Sequence, residues 1–298
     1  GRPKKSAAFA YLAKVRLYQA YEQDDNYTVT QINPVTLQKS IDAANQVIGN
    51  YTLESDFGYN FLPGTHENGS EAVFSIQYSD NDGTLFGRLN YGDVLSLPQG
   101  LGCCDFHKPS QNLVNAFKTN AQGLPMFDTY NDEDLDYKQL NNYKVDPRLY
   151  HTVAMPGLPW KYEKDKIYQE SWVRSPGTYG YYASLKENVP VGCGCTVNID
   201  PFYGNSKNRI IIRYSDVLLM KAEALIELGR VNEALPLINQ VRERAANSTV
   251  LTGSYTSNNF ISKYEPGVNC TWTQDFARKA LRWERRMEFA MEGSRFFD

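Results

Sequence analysis

IIIRYSDVLLMKAEALIELGRVNEALPLINQVRERA, residues 210–245, is the stretch on which the fold turns. Tyr214 to Leu228 is predicted to form one helix, and Gly229 to end it, because glycine turns left-handed at little steric cost. A second helix is predicted from about Asn232 to Ala246, since Leu235, Ile238, Val241 and Ala245 recur on one face at helical spacing. Helices joined by so short a link pack side by side and antiparallel.

Working outward, a third helix is expected from about Thr273 to Glu292, with Ala280, Trp283, Met287 and Ala290 inward and Gly293 at its end. Residues 4–22 are rich in the helix formers Ala, Leu and Lys, and Pro3 suits a first turn. Asn33 and Pro34 read as N-cap and first position of another helix, with Leu37, Ile41, Ala44 and Ile48 on one face and Gly49-Asn50 closing it. Ala44-x-x-x-Ile48 and Ala234-x-x-x-Ile238 stand where small and large residues interlock in tetratricopeptide repeats. The expected fold is all-α: a first helical-repeat pair over 1–52, a loop-rich insertion over 53–208, and C-terminal helical-repeat helices over 209–298. Within the insertion, EAVFSIQY (71–78) alternates like a strand and Pro109 to Thr119 reads as a short helix with Leu113, Ala116 and Phe117 inward. The rest is dense in Gly, Pro, Asn and Asp, yet too rich in Trp and Tyr for disorder.

Composition narrows the function. A net charge of −3 over 298 residues offers no polyanion-binding surface, so nucleic acid is not an expected partner. Aromatics reach 13 %, with 21 Tyr, a residue suited to surfaces that stack and hydrogen-bond together. No run of about 18 apolar residues and no signal peptide occurs. Both ends read as cut from a longer chain. The five cysteines, Cys103, Cys104, Cys193, Cys195 and Cys270, lack zinc-ligand spacing, which leaves loop disulfides or free thiols. No phosphate loop, dinucleotide fingerprint, nucleophile elbow or H-E-x-x-H motif appears, so no catalytic residue, cofactor or metal is assigned. Glu284, Arg285, Arg286 and Glu288 mimic acid–base machinery but are expected to pair as neighbours along one helix. Asp80-Asn81-Asp82-Gly83 resembles half of a calcium loop, but Leu89 stands where the chelating Glu is needed. Asn131-Asp132-Glu133-Asp134 reads as a solvated loop.

Several blocks carry a family resemblance: GRPKKSAAFAYLAKVRLYQAY at the start, EAVFSIQY, KPSQNLVNAFKTNAQGLPMFD with VDPRLYHTV, residues 210–245, and LRWERRMEFAMEGSRFFD at the end. In this order they resemble the SusD/RagB family. The resemblance implies a tetratricopeptide scaffold bearing a loop-rich binding surface, without catalysis. It implies capture of a glycan at the extracellular face of the cell outer membrane. It further implies delivery to a TonB-dependent transporter, and a lipid anchor lying outside this sequence. Alternatives are a peptide-capturing RagB-like subunit or a repeat scaffold that only docks proteins.

A pyranose offers a C–H face and a ring of hydroxyls, which flat aromatics and polar side chains meet respectively. Trp160, Trp172, Tyr179, Tyr181 and Tyr182 are the candidate stacking residues in the insertion. Phe106 and His107 join them, being placed where the family often carries an aromatic near its ligand.

Overall fold

The computed structural model describes residues 3–85, 87–199, 202–253 and 258–294. Gly1-Arg2 of the first family-like block and the closing Arg295–Asp298 lie outside the described residues. Eight α-helices, Lys5–Ala20 (α1), Pro34–Asn45 (α2), Gln111–Ala116 (α3), Leu149–Thr152 (α4), Pro176–Tyr179 (α5), Tyr214–Glu227 (α6), Val231–Asn247 (α7) and Gln274–Glu288 (α8), dominate the described residues. The strands are short and pair two by two. Tyr21–Gln23 (β1) pairs Val29–Ile32 (β2), and Ala72–Ile76 (β3) pairs Arg209–Arg213 (β10) across the whole insertion. Val153–Ala154 (β4) pairs Ala183–Ser184 (β7), Pro159–Trp160 (β5) pairs Glu163–Ile167 (β6), and Thr196–Ile199 (β8) pairs Phe202–Asn205 (β9), all antiparallel.

The long helices lie at the two ends of the chain, and local signals set their bounds. The Asn33 side chain accepts from Val35 N and Thr36 N, both at 3.1 Å, and Pro34 is the first helical residue. After α6, Gly229 adopts φ 73°, with Gly229 N bonded to Ile226 O and Arg230 N to Leu225 O. That pair of bonds is a Schellman closure, and it folds α7 back on α6. α1 packs on α2, α2 on α6, and α6 on α7 and α8. Their shared core holds Ala10, Ala13, Leu37, Ile41, Ala44, Leu218, Leu225, Ala234, Ile238 and Leu281. Ala44, Ala234 and Ile238 are buried in this core, while Ile48 lies at its edge, half-buried.

Four helices are shorter than expected: α2 ends at Asn45, before Ile48, α3 covers only Gln111–Ala116, and α1 and α8 stop early for identifiable reasons. α1 ends at Ala20 because the chain enters the β1–β2 hairpin, whose return bonds Asn33 N to Ala20 O at 2.8 Å. α8 ends at Glu288, not Glu292, because Met291 turns left-handed at φ 66°. The carbonyl of Glu288 is instead taken by Lys186 Nζ and Arg213 Nη2, both at 2.9 Å.

The insertion is ordered by two further cores. One joins Val114, Phe117, Leu135, Leu149, Tyr150 and Tyr182 to Met287 and Ala290 at the end of α8. The other joins Leu97, Trp160, Tyr168, Val173 and Leu185. Among the described residues no helix is long and apolar enough to cross a membrane.

Candidate functional site

The candidate aromatic residues separate into buried and open sets. Trp160 is 0 % exposed, its indole N–H donating to Val189 O at 3.2 Å and its ring 5.9 Å from Tyr168. Tyr182 is 4 % exposed and donates its hydroxyl to Gln111 Oε1 at 3.0 Å. Trp160 has no free face and is corrected from a stacking residue to core, while Tyr182 is buried with only a small part reaching the surface. Each satisfies its polar tip internally, as buried Trp and Tyr must. Trp172 is half-buried against Gly100, where an added Cβ would lie 2.2 Å from Trp172 Cδ1. One face of that indole is therefore closed.

Tyr179, 57 % exposed, and Tyr181, half-buried, do come together, and they meet a residue the sequence did not single out, Tyr137. The three rings line a cleft of about 290 Å³ with Pro109, Asp134 and Asp136, floored by Leu135 and Tyr182. Tyr137 and Tyr181 stand 5.9 Å apart between ring centres, tilted by 49°. Asp136 starts the 3-10 turn Tyr137–Asn142 by accepting from Lys138 N at 2.9 Å, which sets the Tyr137 backbone. On the opposite wall, α5 begins at Pro176 and ends at Gly180, whose φ of 72° swings Tyr181 in beside Tyr179. Tyr137 follows a stretch read as solvated loop, and only density of aromatics in the insertion hinted at it. No spacing pattern links residues 137 and 181.

The Tyr137 hydroxyl donates to Glu170 Oε1 at 2.6 Å, and Lys138 Nζ pairs with the same oxygen at 2.9 Å. Burial, then this bond, pushes Tyr137 up to about 12, so it remains a neutral phenol. The bonds from Tyr137 and Lys138 hold Glu170 below the usual carboxylate range. The hydroxyls of Tyr179 and Tyr181, both lining the cleft, make no hydrogen bond to other described residues.

Phe106 and His107 are not among the residues lining this cleft. Phe106 is 49 % exposed, and Arg174 lies 4.9 Å over its ring. His107 pairs with Glu187 at 2.5 Å, and that hydrogen bond raises the imidazole above its ordinary value. Cys103 and Cys104 form a disulfide at the base of this loop, and Cys193–Cys195 another; Cys270 is free. Among the described residues no group of three His, Cys, Asp or Glu is placed to hold a metal. Asp82 of the calcium-like loop has its carboxylate engaged by Ser79 and Thr84.

Glu284, Arg285 and Glu288 of the α8 charged cluster are buried and pair across elements, not along their own helix, while Arg286 is half-buried. Glu284 binds Arg148 and Arg242, while Glu288 binds Arg148, Arg213 and Arg244. Arg285 reaches Asp216 at 3.0 Å. Arg286 bonds Asn112 Oδ1 at 2.6 Å and lies over Tyr130 and Trp283. Enclosed and mutually neutralised, Glu284 and Glu288 are structural and out of reach of a solute.

Comparison with known proteins gives a consistent answer. A family model described as the SusD family matches residues 70–298. SusD-like protein P38 of Formosa agariphila is 24 % identical over 99 % of this chain and 51 % of its own length. SusD-like protein P2 of the same organism is 26 % identical over 99 % of this chain and 50 % of its own. Among solved structures, a SusD-like carbohydrate binding protein of Bacteroides fragilis superposes with TM-score 0.70 at 22 % identity, covering all of this chain and 52 % of its own. Another, described as holding a xylogluco-oligosaccharide, superposes with TM-score 0.61 at 21 % identity over all of this chain and 51 % of its own. The chain thus spans about half the length of the relatives it matches.

Proposed function

Because this chain belongs to the SusD family, we propose that it captures oligosaccharide or polysaccharide without altering it. In that role it presents the sugar at the outer face of the outer membrane and passes it to a TonB-dependent transporter. The longer protein would be held there by a lipid anchor. One observation carries the proposal: Tyr137, Tyr179 and Tyr181 converge on an open cleft whose polar rim is Asp134 and Asp136. Phenol faces cover the sugar's C–H surface, while the free hydroxyls and carboxylates meet its hydroxyls. The carbohydrate-holding structural neighbour supports the same cargo class. Single-cleft affinity should lie between about millimolar and micromolar, roughly −4 to −8 kcal/mol.

Affinity electrophoresis in gels cast with polysaccharides tests this. Tyr179→Ala combined with Tyr181→Ala should abolish retardation while leaving the far-UV circular dichroism unchanged. Trp160→Ala should instead cost about 3–5 kcal/mol of stability, since it opens a cavity in a closed core. Full retardation of the double tyrosine variant would dismiss the cleft as the sugar site.

A further inference from the structure

The charge around the cleft narrows its cargo, an inference that rests on the proposed sugar capture. Asp134 and Asp136 are the only formally charged residues among those lining the cleft. Asp134 is exposed, with Oδ1 accepting from Asn115 Nδ2 at 2.9 Å and Oδ2 without a partner among the described residues. Asp132 and Glu133, also exposed, extend the same negative rim. Nearby cations are engaged elsewhere. Lys138 pairs with Glu170 at 2.9 Å, and Lys108 with Asp105 at 2.7 Å. Lys118 is buried, bonding the Glu133 carbonyl beneath Tyr143. Arg174 is laid over Phe106 and bonded to Cys104 O at 3.4 Å.

We propose that this cleft selects uncharged glycan chains and rejects chains carrying carboxylate or sulfate groups. Neutral hydroxyls donate to the two aspartates in charge-assisted bonds. A uronate or sulfate ester in the same place meets like charge and finds no lining cation. Two unit charges at about 5 Å repel enough, even in water, to weaken binding about five- to tenfold when two carboxylates act together. Salt screens this over a Debye length of about 8 Å at physiological strength, so the discrimination is sharpest in dilute buffer.

The test uses matched pairs of polysaccharide in affinity gels: laminarin against sulfated laminarin, and methyl-esterified against de-esterified homogalacturonan. At 20 mM salt the neutral member of a retained pair should show a dissociation constant about five- to tenfold lower than its anionic partner. The ratio should shrink toward one at 0.5 M salt and in the Asp134→Asn/Asp136→Asn variant. In that variant the amide oxygen introduced at position 136 still accepts from Lys138 N and keeps the turn capped. Circular dichroism verifies that the variant folds. Equal or tighter retention of the anionic member overturns charge selection while leaving sugar capture standing. So does a ratio untouched by the double variant. Absence of retardation by every polysaccharide, charged or neutral, overturns sugar capture and charge selection together.

Discussion

His151 is fully enclosed, with Nε2 2.9 Å from the Ser248 carbonyl and Nδ1 2.8 Å from the Tyr162 hydroxyl. A carbonyl only accepts, so Nε2 carries the proton and Nδ1 accepts from Tyr162. Burial pushes this imidazole below its ordinary value, against the opposing pull of Asp56 3.8 Å away. The unfolded chain therefore binds a proton near pH ~6.5, whereas the folded chain binds it only at lower pH. Stability should be complete above that window and decline as pH falls through it. His151→Gln retains a donor toward Ser248 and removes the titration. Urea midpoints followed from pH 7.5 to 5 should fall for the native chain and stay flatter for the variant. Parallel declines would place the acid sensitivity in other groups.

Elements whose limits are written locally are the legible ones. The α2 start needs only Asn33 and Pro34, and the α6–α7 turn needs only Gly229. Asn33→Ala removes the acceptor for two N–H groups and should cost about 0.5–2 kcal/mol, read as a lower urea midpoint; Asn33→Gly should cost only a few tenths. A loss no larger in the alanine variant than in glycine would mean water replaces the cap. The α8 end was not legible, because Lys186 and Arg213, 102 and 75 residues away, take the carbonyl that closes it. The cleft was half legible. Tyr179 and Tyr181 share a glycine-flanked turn and stood out, but Tyr137 reaches them only through folding of the intervening chain. Trp160 misled for the same reason. Aromatic identity reports an apolar face, and whether a ring such as Tyr168 packs against that face is a matter of tertiary placement.

At the scale of the molecule, one buried network fastens the insertion to the helical frame. Arg148, Asp146 and Glu71 come from the insertion, the last at the entry to β3, Arg213 from the end of β10, Arg242 and Arg244 from α7, and Glu284 and Glu288 from α8. Arg213 also reaches Glu292, which Lys186 shares, so four arginines and one lysine meet five carboxylates and the charge sums to zero. The neighbouring guanidinium groups hold Glu71 and Glu288 below the usual carboxylate range despite burial. Such a network gives little net stability, but deleting one partner is costly because the others remain buried and unmatched. Arg148 is the insertion's only arginine in the network, bound to Asp146, Glu284 and Glu288 at 2.6–3.0 Å. Arg148→Met should therefore cost about 3–5 kcal/mol. The loss should also be uneven. Amide hydrogen exchange should accelerate first at 145–152 and in the Tyr137–Asn142 turn, which packs beside them in the core of Leu135 and Leu149, while α6 and α7 keep their protection longer. Adding Asp146→Asn to Arg148→Met should restore part of the loss, since Arg148 is the only cation paired with Asp146 and the second change removes the charge left unmatched. Uniform acceleration across the chain, with no rescue by the second change, would mean that insertion and frame unfold as one unit and that the network joins nothing separable.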